Sequence, residues 1–337
     1  MIRAAIVILN WNGDKFLQQF LPSVLKYSSI PGIEVYVADN GSTDNSIEIL
    51  KSQFPSVKII QFNRNYGFAG GYNEALKQIE AQYYILLNSD VEVTPGWIEP
   101  ILRLLDANHS IAACMPKLKN FHDREYFEYA GAAGGFIDKY GYTFCRGRIF
   151  RTLEKDIGQY DDNISIFWAT GACMFIRGEL FHSLGGFDAS FFAHMEEVDL
   201  CWRFKSAGYT IMYSGESTVY HVGGGALPKE NPRKTYLNFR NSLFLLYKNL
   251  PASKFRKIIL LKILFDIGAG FKFLFSLKGS HFFSVIKAHL FFLLKLPSLC
   301  KLSKISTNKV HPEIYQKSIV IDYFGRNKKY FNSLNFN

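Results

Sequence analysis

The feature that most constrains this chain is an alternation of short apolar runs with helical patterns through residues 4–90, each apolar run ending in a polar cluster. Residues 4–9 form a continuous apolar run of the buried-strand type, closed by Asn10-Trp11-Asn12-Gly13. A helical spacing follows in Phe16, Phe20, Leu21, Val24 and Leu25. The runs 33–38, 57–62 and 83–87 repeat the pattern and end in clusters at 39–44, 63–73 and 88–90, with a third helix opening over 67–71. Such alternation predicts an α/β fold with a mainly parallel, Rossmann-like sheet and helices on both faces. Ligands of such sheets bind beyond the carboxyl ends of the strands, where all four clusters fall. Residues 120–165, rich in Tyr, Phe and Gly, read as loops and short strands. Regular structure returns over 166–176, Gly185-Gly186-Phe187-Asp188 marks a turn, and a helix begins near Glu196 and runs through Phe204.

Charge divides the chain. Residues 1–232 carry 20 Lys/Arg against 26 Asp/Glu, whereas 233–337 carry 19 against 3, namely Asp266, Glu313 and Asp322. The whole-chain net charge of +10 therefore hides an acidic domain, expected over 1–250, and a basic tail over 251–337. In the tail, the apolar stretch 258–275 is interrupted by Lys262, Asp266 and Lys272, with Lys262 and Asp266 on one helix face. Over 282–296, Ser284, Lys287 and Lys295 lie opposite Ile286, Leu290 and Leu293. A spanning helix needs about 20 predominantly apolar residues. Amphipathic helices lying on an anionic membrane surface fit this tail better, with a helical cap or an oligomer interface as the alternatives. Lysines interleaved with long apolar runs argue against nucleic acid as a partner. The five cysteines (Cys114, Cys145, Cys173, Cys201, Cys300) form no CxxC pair, which argues against a disulfide framework or structural zinc. The run 4–9 is too short for a signal peptide. The expected location is cytoplasmic, peripheral to the inner face of the membrane.

Each polar cluster has a plain and a chemical reading. Asp39-Asn40-Gly41-Ser42-Thr43-Asp44 suits a turn and helix cap. The glycines of 63–73 would let backbone approach a phosphate, but they match neither the Walker spacing nor the Rossmann Gly-x-Gly-x-x-Gly after the first strand. Asp90, in Asn88-Ser89-Asp90, either begins a turn or holds a hard cation bridging a diphosphate. Glu196, Glu197 and Asp199 stand beside apolar residues; Asp199 and Arg203 are spaced for a helix ion pair, while a carboxylate among Phe and Met side chains has a raised pKa suited to a general base. His221, followed by Val222-Gly223-Gly224-Gly225, is a structural histidine or a metal ligand with room for a diphosphate beside it.

In order and spacing, Ile8-Leu9-Asn10-Trp11-Asn12-Gly13, the 39–44 cluster, Asn65-Tyr66-Gly67-Phe68-Ala69-Gly70-Gly71 and Leu86-Leu87-Asn88-Ser89-Asp90 resemble the family 2 inverting glycosyltransferases of the GT-A fold. The rhamnosyltransferase-like branch, acting on bacterial surface polysaccharides, is the most similar. Thr170-Gly171-Ala172-Cys173-Met174, the 185–188 turn, 196–203 and His221 continue the resemblance, which spans about 3–250 and leaves the tail uncovered. It implies that Asn10 and Asp39 lie by the nucleotide, and that Asn65, Gly67, Gly70, Gly71 and Asn73, with Asn88 and Ser89, line the nucleotide-sugar pocket. Asp90 matches the second aspartate of the family's Asp-x-Asp, Asn88 departs from the first, and His221 supplements the Mg²⁺ or Mn²⁺ site. Glu197 stands where the family has its catalytic aspartate, with Glu196 as the alternative. Trp168 and Asp199 fall on the acceptor side, with core packing the alternative for Trp168. The implied reaction moves a sugar, rhamnose in this branch, from a dTDP- or UDP-linked donor to a hydroxyl of a lipid-linked or polysaccharide acceptor. The departures at Asn88 and Glu197 also suit a catalytically silent nucleotide-sugar-binding or scaffold subunit.

Overall fold

A computed structural model describes residues 2–223, 231–299 and 311–336. The alternating half forms β1 (Ile2–Asn10), α1 (Asp14–Tyr27), β2 (Ile33–Asp39), α2 (Ser46–Gln53), β3 (Lys58–Gln61), α3 (Gly67–Leu76) and β4 (Ala81–Asn88). The chain continues through β5 (Val91–Val93), α4 (Glu99–Ala107) and β6 (Ile111–Asn120), then four short strands, β7 (Gly135–Asp138), β8 (Thr143–Cys145), β9 (Arg148–Ile149) and β10 (Thr152–Leu153). Next come β11 (Asn163–Ile166), β12 (Cys173–Arg177), α5 (Gly178–Ser183), α6 (Glu196–Ser206) and β13 (Thr210–His221). Three long helices, α7 (Pro232–Asn249), α8 (Ala252–Phe275) and α9 (Gly279–Leu299), precede β14 (Ile314–Tyr315).

The main sheet has nine strands in the order β11-β13-β6-β12-β4-β1-β2-β3, with β5 on β13. Strands β1 to β4 pair in parallel, as the alternation predicts, while β12 runs antiparallel to both β4 and β6, so the sheet is mixed. Both faces of β1 and β4 are covered, and Ala4 to Val7 and Ile85 to Leu87 are fully buried, which is why these strands read as continuous apolar runs. Helix α1 buries Leu17, Phe20, Leu21 and Val24, the face its period of 3.6 residues predicts. Register then aligns the clusters: Asn10 lies opposite Asp39, and Leu9 opposite Asn88. All sit at the carboxyl edge.

The tail, expected as one helical unit, is described in two different parts. Helices α8 and α9 form a hairpin against α7, with Phe244 meeting Phe291 and Phe292 at ring distances of 6.4 and 5.9 Å. Residues 311–336 instead return to the small second sheet, where β14 pairs in parallel with β7 and Phe331 and Phe336 pack on Phe136 at 4.9 and 5.4 Å.

Candidate active site

At the β1–β2 edge, the buried Asn10 donates from Nδ2 to Asp39 Oδ2 (3.1 Å) and Ser42 Oγ (3.3 Å), and Ser42 N donates to Asp39 Oδ1 (3.0 Å). Asp44 Oδ1 accepts from Ser46 N at the start of α2 (3.1 Å), so part of the 39–44 cluster serves the turn and its cap. Asn65 Oδ1 accepts from Gly67 N (2.7 Å) and Asn40 Nδ2 (3.1 Å), and Asn40 Oδ1 accepts from Tyr66 N (2.9 Å). Gly67 has φ +73°, and a Cβ there would stand 2.7 Å from the Phe192 ring. The carbonyl of Phe192 takes the amides of Phe68 (2.8 Å) and Ala69 (3.3 Å), so these two N–H groups at the start of α3 hold a protein loop rather than facing a free anion site. Cβ atoms on Gly70 and Gly71 would press on Tyr66 and Leu9, so these glycines let α3 pack closely. Asn73 clamps the 185–188 turn, donating to Phe187 O (2.7 Å) and accepting from Phe187 N (2.9 Å). Asn88 and Ser89 are half-buried at the same edge.

Antiparallel pairing of β5 with β13 sets His221 opposite Val91, bringing Asp90 to His221 across 131 residues of sequence. Asp90 Oδ1 and His221 Nε2 are 3.1 Å apart, and Glu128 Oε2 lies 3.4 Å from His221 Nδ1. All three side chains are buried. Burial alone would hold the imidazole neutral, but the Glu128 and Asp90 carboxylates outweigh it and push His221 up to about 10. Among the described residues no group of three or more His, Cys, Asp or Glu side chains forms a complete cation cage. Asp90 and, once its imidazole has lost a proton, His221 would offer a divalent cation one oxygen and one nitrogen donor, with Glu128 beside the far ring nitrogen, which has no hydrogen-bond partner among the described residues. Gly224 and Gly225 lie outside the described residues.

The loop before α6 is strained. Phe192, His194 and Met195 have φ of 64°, 70° and 74°, unusual for side chains of this size. Helix α7 holds it: Asn241 Nδ2 is directed at the carbonyls of Phe191 (3.0 Å), Ala193 (2.9 Å) and His194 (2.6 Å), while Arg240 Nη2 donates to Ser190 O (3.0 Å) and Phe191 O (2.8 Å). Beyond this loop, Glu196 Oε2 and Glu197 Oε2 are buried without a hydrogen-bond partner among the described residues, as is His194 Nε2. Burial pushes Glu197 up to about 7, with backbone amides at the start of α6 pulling the other way. Glu196 is pushed well above the carboxylate range by burial and then by the Glu197 charge. Burial also pulls His194 down to about 4, leaving it neutral. Burial raises the Cys145 thiol, with the Arg148 guanidinium pulling the other way.

Two residues expected on the acceptor side are engaged in contacts within the protein. Asp199 is fully buried and spent on structure, accepting from Arg203 Nε (2.9 Å), Lys248 Nζ (3.0 Å) and Asn249 Nδ2 (2.9 Å). Trp168 is 4% exposed, donates from Nε1 to Phe136 O (2.9 Å) and lies so close to Gly135 that a Cβ there would be 2.2 Å from its ring. That is the core-packing arrangement. Sequence reasoning missed Glu128, Asn241 and Arg240, none of which carries a motif; Glu128 lies in the aperiodic 120–165 stretch. A surface hollow at the amino ends of β1 and β2, lined by Ile2, Gly32, Ile33, Glu34 and Glu80, lies away from these clusters.

The fold is shared with glycosyltransferases of the GT-A class. Staphylococcus aureus TarS 1–349 in complex with UDP-GlcNAc superposes with a TM-score of 0.58 at 16% identity, over 88% of this chain and 82% of that one. GalNAc-T7 with UDP, GalNAc and Mn²⁺ gives 0.57 at 17% identity, over 75% of this chain and 49% of that one. The chain belongs to glycosyl transferase family 2, whose family model matches residues 5–185. Among its relatives is the N-acetylglucosaminyl-diphospho-decaprenol L-rhamnosyltransferase of Mycobacterium tuberculosis, 25% identical over 234 residues, 64% of this chain and 75% of that protein.

Proposed function

We propose that this protein is an inverting, metal-dependent glycosyltransferase that moves a sugar from a nucleoside diphosphate to a hydroxyl of a lipid-linked or polysaccharide acceptor. The observation that carries the reading is Glu197: a carboxylate whose Oε2 is buried without a hydrogen-bond partner among the described residues, pushed up to about 7 by burial, at the end of a strained loop that packs on the start of α3 through Phe192. Rhamnose as the sugar and a lipid-linked acceptor are supported by the mycobacterial relative's name, and a UDP-linked donor by the UDP-GlcNAc bound to TarS; a dTDP-linked donor and the inner face of the membrane rest on the resemblance to the rhamnosyltransferase-like branch.

In this reading Glu197 accepts the proton of the acceptor hydroxyl as its oxygen bonds to the anomeric carbon. The bond from that carbon to the donor diphosphate breaks, its electron pair leaves on the nucleoside diphosphate, and the anomeric configuration inverts in one displacement. Glu196 stands beside it, its carboxyl held well above the usual range by burial and the Glu197 charge, and is the alternative base. Asp90 and His221 are the residues suited to hold Mg²⁺ or Mn²⁺, and GalNAc-T7 carries Mn²⁺ in its crystal structure. When bound, such an ion neutralises the charge growing on the leaving diphosphate. Asn10 and Asp39, with the loops anchored by Asn40, Asn65 and Asn73, form the nucleotide side.

The test is a donor screen: purified protein with Mg²⁺ or Mn²⁺, a panel of dTDP-, UDP- and GDP-sugars, and nucleoside diphosphate release with and without lipid extract. Extract-stimulated release from one donor, abolished by EDTA, is expected. Donor binding without release under every condition would instead identify a silent binding subunit. Near-normal transfer in Glu197→Gln together with its loss in Glu196→Gln would reverse the base assignment.

A further inference from the structure

Helix α8 is inside out. Its charged pair, Lys262 and Asp266, is 1% and 0% exposed and faces the protein, with Lys262 Nζ donating to Asp266 Oδ1 at 2.7 Å. Tyr142 OH donates to the same oxygen at 2.7 Å, His289 Nε2 of α9 lies 3.2 Å from Asp266 Oδ2, and Lys262 Nζ sits 3.9 Å from the centre of the Tyr142 ring. This buried network fixes the rotation of α8 about its axis, because turning it outward would break several charge-assisted bonds at once. The rotation sends the hydrocarbon outward. Leu260, Leu264, Phe275, Leu277, Phe283 and Leu294 of the hairpin are 66%, 54%, 83%, 95%, 66% and 79% exposed. Large apolar side chains clustered this way mark an interaction surface rather than ordinary solvent exposure.

The charge on that surface has one sign. Arg256, Lys257, Lys272, Lys287 and Lys295 are exposed, and Asp266, the one carboxylate within 252–299, is buried. No helix among the described residues is long and apolar enough to cross a membrane. A second copy meeting this face about a twofold axis would set lysine against lysine with no carboxylate between them. Phosphates of an anionic bilayer supply the missing counter-charge, and acyl chains supply the partner for the leucines and phenylalanines. We infer that the α8–α9 hairpin docks the protein on an anionic lipid surface, apolar side down, with its exposed lysines and arginine among the headgroups.

The hairpin also fixes where the bilayer lies relative to the chemistry. Helix α7 packs on α9 through Phe244 and, with Arg240 and Asn241, holds the loop that leads into Glu197. One helix thus separates the docking surface from the candidate base. That placement suits an acceptor hydroxyl displayed on a lipid-borne diphosphate; this consequence rests on the reaction proposed above, whereas the docking surface does not.

The full chain is mixed with sucrose-loaded vesicles of phosphatidylcholine alone or with phosphatidylglycerol at a seven-to-three ratio, and the bound fraction is read by sedimentation at low and high salt. Binding to the anionic vesicles is expected, falling with salt and roughly tenfold weaker on phosphatidylcholine. F275E/L294E changes only exposed side chains; it should weaken vesicle binding at least about tenfold while its melting temperature and vesicle-free donor turnover stay at wild-type values. The control I157E, at an exposed apolar residue of the catalytic domain, should bind as wild type. Absence of wild-type binding, or F275E/L294E binding like wild type, overturns the inference. So does a stable dimer in sedimentation that F275E/L294E splits, because a second copy then covers the face. Vesicle binding without sugar transfer on any donor would leave the docking surface standing and remove the proposed reaction.

Discussion

On the strand-end flank, proposed to take the nucleotide, the side chains of Asn40, Asn65, Asn73 and Asp39 are tied to neighbouring loops by hydrogen bonds. Across the site, His194, Glu196 and Glu197 each keep a buried polar atom without a partner, in a segment whose backbone is strained. None of the four strand-end side chains has a buried atom without a partner among the described residues, although Asn10 Oδ1 beside them does. The difference teaches where rigidity comes from. The strand-end flank is held by its own side chains, whereas the α6 flank leaves Glu196 and Glu197 each with an unbonded oxygen and takes its rigidity from α7, through Asn241 and Arg240.

Substitutions should therefore separate activity from stability according to flank. The largest effect is expected for Glu197→Gln, which should lower kcat by roughly 10³-fold. Its stability should move the other way. Because the folded-state pKa of Glu197 is raised to about 7, the wild type loses stability from this group as pH climbs from the unfolded value of 4.5 through about 7, and the glutamine variant does not. Melting curves should show the variant gaining more at pH 8 than at pH 5. Wild-type kcat/KM should rise with pH up to about 7 and level off above it, since only the ionised carboxylate accepts a proton. A flat profile across that range would remove Glu197 as base.

Next is Trp168→Ala, expected to cost about 3–5 kcal/mol of stability by chemical denaturation, the range for an aromatic lost from a packed core. Trp168→Phe should keep the acceptor KM. An unchanged melting temperature with a raised acceptor KM would return Trp168 to the acceptor site. Asn241→Ala should cost about 1–3 kcal/mol, because it unpairs buried carbonyls, and should lower kcat with little change in donor KM. On the other flank Asn65→Ala should cost about 1 kcal/mol, with donor KM rising more than kcat falls. Equal kcat losses in these two variants would erase the contrast between flanks. The smallest effect is reserved for Arg3→Ala, whose ion pair with Asp106 is 2.7 Å long but half exposed at both ends; less than about 1 kcal/mol is expected.

Much of the fold was legible because the information is local. The runs at 4–9 and 83–87 declare strands buried on both faces, and the spacing of Leu17, Phe20, Leu21 and Val24 declares the inner face of α1. The strand-end clusters then mark one edge, since parallel strands bring their carboxyl ends together. Asp199 and Trp168 misled for the same local reason. Each stands beside a motif residue in sequence, but α6 and the segment that follows β11 turn their side chains inward, to Lys248 and Asn249 in one case and to Phe136 in the other.

By itself the sequence determined the α/β alternation, the polar strand ends, the family and the sign of charge in each part of the chain, all carried by short-range periodicity and ordered motifs. Tertiary structure alone decided that Asp90 meets His221 and Glu128, that Asn241 holds the loop before Glu197, and that α8 turns Lys262 and Asp266 inward and its leucines outward. Helical periodicity shows that a helix has two faces. Which face is inside depends on the partner waiting there, and for α8 that partner is Tyr142, more than a hundred positions earlier in the chain.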